Sequence, residues 1–143
     1  MPCPDTYYLN SGVCSLCASG CKSCVNSSNT TCISCVSGFG LYNGSCYSPC
    51  PDGTYLNASN SRCVACSTGC NSCTTSSNVS CTTCKTGYGF LSGSCFSVCP
   101  DGYYKNGGNC SACFTGCKSC SDSGNESCTS CLTNYGMLNN SCF

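Results

Sequence analysis

Apolar side chains are sparse along this chain. They never gather into a run long enough for a membrane span or a signal-peptide core. They recur instead at fixed places between cysteines. A Tyr follows the first cysteine of each stretch (Tyr7, Tyr55, Tyr103). An aromatic-Gly pair comes later (Phe39-Gly40, Tyr88-Gly89, Tyr135-Gly136), with Leu41, Leu91 and Leu138 close behind. Turn signals close these short stretches. Asn43-Gly44, Gly44-Ser45 and Gly93-Ser94 precede a cysteine and suit hairpin turns. Pro-Asp-Gly after Cys50 and Cys99 suits a β-turn. The pattern predicts short β-hairpins and irregular loops, with little helix.

The cysteines carry the period. From Cys3 the spacing is C-x10-C-x2-C-x3-C-x2-C-x7-C-x2-C-x10-C-x3, and Cys50 begins it again. The unit from Cys50 has x12 in its first gap. The unit from Cys99 repeats the first spacing through Cys142. Pro-Asp follows the first cysteine each time (Pro4-Asp5, Pro51-Asp52, Pro100-Asp101), and Gly precedes the fourth (Gly20, Gly69, Gly116). Such self-similarity marks an array of small units. We divide it as 3–49, 50–98 and 99–143, the last completed by residues equivalent to 1–2 of a next unit.

The two ends fit each other. The internal junctions read Cys46-Tyr47-Ser48-Pro49-Cys50 and Cys95-Phe96-Ser97-Val98-Cys99. Joining tail to head gives Cys142-Phe143-Met1-Pro2-Cys3, with the same x3 gap and an aromatic after the first cysteine. A domain boundary could fall there by chance. The sharper expectation is one superperiod of a longer tandem array, or subunits stacked head to tail. Met1 would then be an ordinary spacer residue.

Composition narrows the class. Of 143 residues, 24 are Cys, far above the level that marks a disulfide scaffold. Leu, Ile, Val and Phe together number only 19, too few for a conventional core. Five Lys+Arg balance five Asp+Glu, so neither a nucleic-acid footprint nor a polybasic membrane patch is expected. There is no His and no Trp. Covalent cross-links or metal must replace the core.

Dense CxxC pairs suit disulfides or metal–thiolate sites. Two CxxC knuckles can make a four-thiolate zinc site. But Cys14-x2-Cys17-x3-Cys21-x2-Cys24 sets ligands too close for separate tetrahedral sites. A polymetallic cluster would also leave little place for 14 aromatics. Disulfides are the favoured reading, with no metal and no cofactor.

The run C-x3-C-x2-C-x7-C-x2-C-x10-C-x3-C-P-D-G, followed by Tyr and C-x2-C, resembles the furin-like cysteine-rich repeat. That family includes modules of R-spondins, growth-factor-receptor cysteine-rich regions and some proprotein convertases. Tandem CxxC-rich surface proteins of ciliates and other protists are similar in character. The resemblance implies a small disulfide-rich fold: three tandem repeats of hairpins and loops, stacked as an elongated rod without a large hydrophobic core. It also implies a pairing. Cys17 would join Cys24, and Cys21 would join Cys32, interlaced; Cys35 would join Cys46, and Cys50 would join Cys63. The next turn would be Cys66–Cys73, Cys70–Cys81, Cys84–Cys95 and Cys99–Cys110. The last would be Cys113–Cys120, Cys117–Cys128 and Cys131–Cys142. Cys3 and Cys14 would pair in the position of Cys50–Cys63. The longer x7 gap and the low charge depart from the signalling members. In this family the repeat serves as a rigid spacer in some proteins and as a ligand-binding surface in others.

Glycosylation sequons add a positional signal. Asn29, Asn78 and Asn125 each stand five residues after a cysteine in the x7 loop, and each sequon ends directly before the next cysteine. Asn43 and Asn139 match each other in the x10 loop, where the middle repeat has Ser92. Asn26 and Asn57 are further sequons, and Asn109-Cys110-Ser111 is formal only. Chance accounts for one or two sequons in so Asn- and Ser-rich a chain, and less well for three in register. A glycan at every x7 loop is expected, and it would help keep a chain with so few charges soluble.

Catalysis is not expected, since there is no His and the acids are scattered. The leading expectation is a structural, extracellular or cell-surface glycoprotein whose partners are its own copies and its covalent glycans. The alternative is a ligand-binding module of a receptor, a secreted signalling protein or a protist surface antigen. A Tyr stripe that binds carbohydrate or another ligand would belong to that alternative. Neither nucleic acid nor direct membrane insertion is expected.

Overall fold

The computed structural model describes residues 2–143. Among them are eighteen short strands and no helix. Each repeat is built from three hairpins. The first repeat has β1 (Tyr7–Asn10) with β2 (Val13–Leu16), β3 (Cys21–Cys24) with β4 (Cys32–Cys35), and β5 (Gly40–Tyr42) with β6 (Ser45–Tyr47). The second repeat carries β7 (Thr54–Asn57), β8 (Arg62–Ala65), β9 (Cys70–Cys73), β10 (Cys81–Cys84), β11 (Gly89–Leu91) and β12 (Ser94–Phe96). The third carries β13 (Tyr103–Asn106), β14 (Asn109–Ala112), β15 (Cys117–Cys120), β16 (Cys128–Cys131), β17 (Met137–Leu138) and β18 (Ser141–Cys142).

The core is made of sulfur. All the buried apolar residues are half-cystines, twelve in number among the described residues, and Cys21, Cys70 and Cys117 are the most deeply buried. The bonds are Cys3–Cys14, Cys17–Cys24, Cys21–Cys32, Cys35–Cys46, Cys50–Cys63 and Cys66–Cys73. Then come Cys70–Cys81, Cys84–Cys95, Cys99–Cys110, Cys113–Cys120, Cys117–Cys128 and Cys131–Cys142. No cysteine is left free. Each bond closes a loop of 7 to 13 residues. The chain-entropy argument gives about 2–3 kcal/mol for such a loop. That is how a chain this poor in Leu, Ile, Val and Phe holds a fold.

A CxxC pair in a strand raises a geometric difficulty. Side chains alternate with period two, so residues three apart should face opposite ways. Yet Cys21 and Cys24 are both buried. The β3–β4 ladder resolves this with a register shift: Cys21 faces Cys35, Ser23 faces Ser34, and Cys24 faces Cys32. The shift repeats between β15 and β16, where Cys117 faces Cys131 and Cys120 faces Cys128. An irregularity of this kind turns both cysteines inward.

The hairpin turns refine the sequence expectation. Asn43-Gly44, Ser92-Gly93 and Asn139-Asn140 are the turn pairs, all with positive φ, as a two-residue hairpin loop of the I′ kind requires. Ser45 and Ser94 already belong to the outgoing strands, so Gly-Ser is not the turn pair. The recurrent Tyr also shifts. By register, Tyr8 opposite Ser15, Tyr55 opposite Val64 and Tyr104 opposite Ser111 are the equivalent residues, and all three are half-buried. Tyr7 and Tyr103 are neighbours of that position, and Thr54 is their counterpart. Tyr8 packs on the sulfur cluster of Cys17, Cys21, Cys24 and Cys32.

By internal packing the chain forms two compact units. One holds residues up to Cys66 with Ser72–Ser76; the other holds Ser67–Asn71 with Ser77–Phe143. This division does not follow the sequence repeats. The reason lies in two four-stranded sheets, β6-β5-β8-β7 and β12-β11-β14-β13, each of which crosses a repeat boundary. The tail-to-head phase through Phe143 and Met1 falls partly on Met1, which lies outside the described residues.

Candidate functional site

The fold repeats the junction between one repeat and the next at both internal boundaries. At the first junction, inside the first unit, β5 and β8 run parallel with Leu41 opposite Arg62. The Leu41 N–H donates to the Ser61 carbonyl at 2.9 Å. At the second, inside the other unit, β11 and β14 are parallel with Phe90 opposite Asn109. The Phe90 N–H donates to the Gly108 carbonyl at 2.8 Å. The glycine of the aromatic-Gly pair makes this approach possible. A Cβ on Gly40 would fall 2.5 Å from Cys63 Sγ and 2.8 Å from Cys50 Sγ. One on Gly89 would fall 2.6 Å from Cys110 Sγ and 3.1 Å from Cys99 Sγ. The backbone of one repeat thus rests on the first disulfide of the next. Lys105 adds to the second junction, its Nζ donating to the Gly87 carbonyl and, at 3.1 Å, to that of Ser97.

The x7 loops form a second repeated feature. Asn29, Asn78 and Asn125 are all exposed. Each is the second residue of a four-residue turn, closed at 3.3 Å by Thr31 N–H to Ser28, Ser80 N–H to Ser77, and Ser127 N–H to Gly124. The sequon hydroxyl donates to the same carbonyl: Thr31 to Ser28 at 2.9 Å, Ser80 to Ser77 at 2.7 Å, Ser127 to Gly124 at 2.6 Å. The loop then docks on the x10 hairpin, where Ser94 donates to the Asn78 carbonyl and Ser141 to that of Asn125. The remaining sequon asparagines sit otherwise. Asn43 and Asn139 are turn residues with positive φ. Asn26 and Asn57 each accept, through Oδ1, the N–H two residues on. Asp122 does the same at the place equivalent to Asn26, so Asn26 has a turn-forming role apart from any glycan. Asn109 lies in β14, beside the bridged Cys110.

Two further clusters repeat. Cys21, Cys32 and Cys46 bring three sulfurs within 4.8 Å of one another, as do Cys70, Cys81 and Cys95, and Cys117, Cys128 and Cys142. All nine sulfurs are in disulfides, whereas metal ligation needs thiolates. Lys22 pairs with Asp5, and Lys118 with Asp101, both at 3.7 Å and at the same place in their repeats. Both pairs are exposed and contribute about 0–1 kcal/mol each. The second repeat has Asp52 and Asn71 in these positions.

Sequence reasoning did not find the junction. Its signal was the glycine after each aromatic, which was legible as a repeat landmark but not as a seat for the next disulfide.

No protein-family model matches the chain. Curated relatives do. A segment of 57 residues, 38% of the chain, is 33% identical to Cysteine repeat modular protein 1 of Tetrahymena thermophila. A segment of 64 residues, 43% of the chain, is 39% identical to Cysteine repeat modular protein 2 of the same organism. The chain spans only 2% and 3% of the length of these relatives. Together with the twelve disulfides, this similarity makes the chain a disulfide-rich cysteine-repeat module, of the kind suited to an oxidising, extracellular setting.

Proposed function

We propose that this chain is a structural, non-catalytic extracellular glycoprotein, a tandem array of furin-like-type repeats that serves as a stapled spacer, coat or fibre. The observation that carries the reading is the junction. The same parallel strand pairing and the same glycine seat recur at both repeat boundaries. A device that joins each repeat to the next in one way suits mechanical continuity. A ligand-binding module would instead need its repeats to differ at a recognition patch. The interlaced Cys17–Cys24 and Cys21–Cys32 bonds support the furin-like type.

In this reading the loop-closing disulfides resist unfolding and proteolysis, and each junction ties one repeat to the next. Glycans at Asn29, Asn78 and Asn125, with Asn43, Asn139, Asn26 and Asn57 as further acceptors, form the outer surface. Electron microscopy of native material tests it. Continuous filaments or a coat with an axial period of three repeats are expected. Discrete monomers that bind a partner saturably would overturn it.

A further inference from the structure

The x7 loop is held at a fixed place on the x10 hairpin. In the second repeat Ser94 Oγ donates to the Asn78 carbonyl at 2.9 Å, and the Cys81 N–H donates to the Gly93 carbonyl at 2.9 Å. The Val79 carbonyl lies so close to Gly93 that it leaves no room for a Cβ there. The N–H and the hydroxyl of Ser80 both go to the Ser77 carbonyl. The sequon backbone is therefore tied down on both sides of Asn78, while Asn78 itself is exposed. A group carried on its Nδ2 starts from a defined point.

Beside that point is a depression of about 270 Å³, lined by Ser67, Thr68, Asn78, Ser94, Cys95 and Phe96. It has room for one sugar ring and not for an extended ligand. Ser67 Oγ lies 3.1 Å from Cys70 Sγ, whereas Thr68 is exposed. Phe96, in β12, is only half-buried. An asparagine, an aromatic ring and a hydroxyl thus meet in one place. The pairing recurs along the sequence. Asn29, Asn78 and Asn125 are each followed, at the same distance, by an aromatic: Tyr47, Phe96 and Phe143. In the first repeat the loop rests on its hairpin in the same way. The Cys32 N–H donates to the Gly44 carbonyl at 2.8 Å, and the Thr30 carbonyl closes the space over Gly44. Tyr47 is exposed there.

We propose that Phe96 is a saccharide platform: the N-acetylhexosamine attached to Asn78 lies in this depression, its ring stacked on the Phe96 ring and its polar edge toward Thr68. A pyranose presents C–H bonds on its face and hydroxyls at its edge. The C–H face suits the negative face of an aromatic ring, and the hydroxyls are left for Thr68 and water. The covalent link delivers the sugar at high effective concentration, so even a weak contact is populated. The sugar clamps the x7 loop to the x10 hairpin. This inference rests on the glycan proposed at Asn78 and names what that glycan does on the fold.

The test uses the oxidised 143-residue chain carrying a single N-acetylglucosamine on Asn78, assembled by peptide ligation, beside the same chain without it. Proton NMR should show the sugar's ring protons shifted upfield from their positions on the reduced, unfolded chain, with cross-relaxation to the Phe96 ring. Amide exchange at Ser80 and Cys81, whose N–H groups close the loop and hold it to the hairpin, should slow about twofold to tenfold. Phe96→Leu removes the aromatic face and keeps an apolar side chain in β12. It should abolish both the upfield shift and the slowing. Phe96→Tyr, the residue that the first repeat has at this place, should keep both. Each variant is read against its own sugar-free form, so that a change in the fold itself cancels.

Sugar protons that keep their unfolded-chain positions in the folded chain would overturn the inference. So would a Phe96→Leu chain with the parent's shifts and slowing. The outcome is separable from that of the glycan reading, because the sugar is installed chemically. Native glycopeptides bare at Asn78 beside a docked synthetic sugar would sink the native glycan and leave the platform standing. An occupied native Asn78 beside an undocked sugar would do the reverse.

Discussion

The ring of Phe39 occupies the space where a side chain on Gly20 would stand: a Cβ there would fall 2.7 Å from Phe39 Cδ1. Tyr88 bears the same relation to Gly69 at 2.5 Å, and Tyr135 to Gly116 at 2.6 Å. The glycine also stands at positive φ in each repeat. Its carbonyl accepts the N–H of Val36, Lys85 or Leu132, which begins the loop that delivers the ring. Two landmarks separated by about twenty residues are therefore one packing unit, and that unit lies beside the most buried cysteine of the repeat.

Replacing Gly69 by Ala is accordingly expected to be severe. The positive φ and the collision with an immobile ring add to about 2–4 kcal/mol. Gly87 provides the comparison. It also has positive φ but has nothing within 4 Å of a Cβ, so Gly87→Ala should cost only about 1 kcal/mol. Calorimetric melting of the oxidised variants checks this order. Equal losses at the two sites would mean that the ring contact is unimportant.

Thr6 is expected to be an improvable residue. It has φ +70 and stands where Gly53 and Gly102 stand in the other repeats, both also at positive φ. A β-branched residue there is strained, and its N–H is fixed by the Lys22 carbonyl at 2.7 Å, which holds the conformation. Thr6→Gly relieves strain of about 1–2 kcal/mol and costs about 0.5–1 kcal/mol in chain entropy, a net gain of about 0.5–1 kcal/mol. A higher melting temperature is the expected result.

The sequence made the hairpins, the turn regions and the repeat landmarks legible, because each leaves a local signal. Asn43-Gly44 marks a turn, and Pro51-Asp52-Gly53 marks another. What it did not reveal is non-local. The bulge that turns both Cys21 and Cys24 inward depends on the opposite strand. The parallel pairing of Leu41 with Arg62 depends on a hairpin from the next repeat. The equivalence of Tyr8, Tyr55 and Tyr104 is legible, since each stands five residues after the first cysteine of its repeat, but their inward position is set by strand register.

The sulfur triplets predict an asymmetry between the two halves of one bond. Cys46 lies within 4.8 Å of both sulfurs of Cys21–Cys32, and its partner Cys35 is outside that group. In Cys35→Ser, the Cys46 thiolate can attack Cys21 or Cys32, forming a new disulfide and releasing the other sulfur as thiolate. In Cys46→Ser, the Cys35 thiol stands opposite Cys21 in the ladder but outside the three-sulfur group. Disulfide mapping by mass spectrometry should find Cys46 bonded to Cys21 or Cys32 in a substantial fraction of Cys35→Ser, and Cys35 bonded to either of them in a smaller fraction of Cys46→Ser. Native Cys21–Cys32 in both variants would contradict the prediction.

For the glycans proposed at the x7 loops, the loop geometry predicts the time of attachment. Sequon recognition needs the hydroxyl, yet in the folded loops Ser80 and Ser127 direct it to backbone carbonyls and Thr31 to Asn26 Oδ1 and the Ser28 carbonyl. The asparagines are exposed, but the sequon hydroxyls are engaged. If the proposed glycans are attached, attachment is expected before closure of the loop by Cys21–Cys32, Cys70–Cys81 or Cys117–Cys128. Chain made without glycans and then oxidised should be a poor acceptor for the transferring enzyme in vitro, and the reduced, unfolded chain a good one. Delaying disulfide formation in the secreting cell should raise occupancy at Asn29, Asn78 and Asn125, read by intact glycopeptide mass spectrometry. Thr31→Ala, Ser80→Ala and Ser127→Ala should each abolish the glycan at its own loop and leave the other two. Efficient modification of the fully oxidised chain would show that the hydroxyl bonds open readily and that folding does not set the order of events.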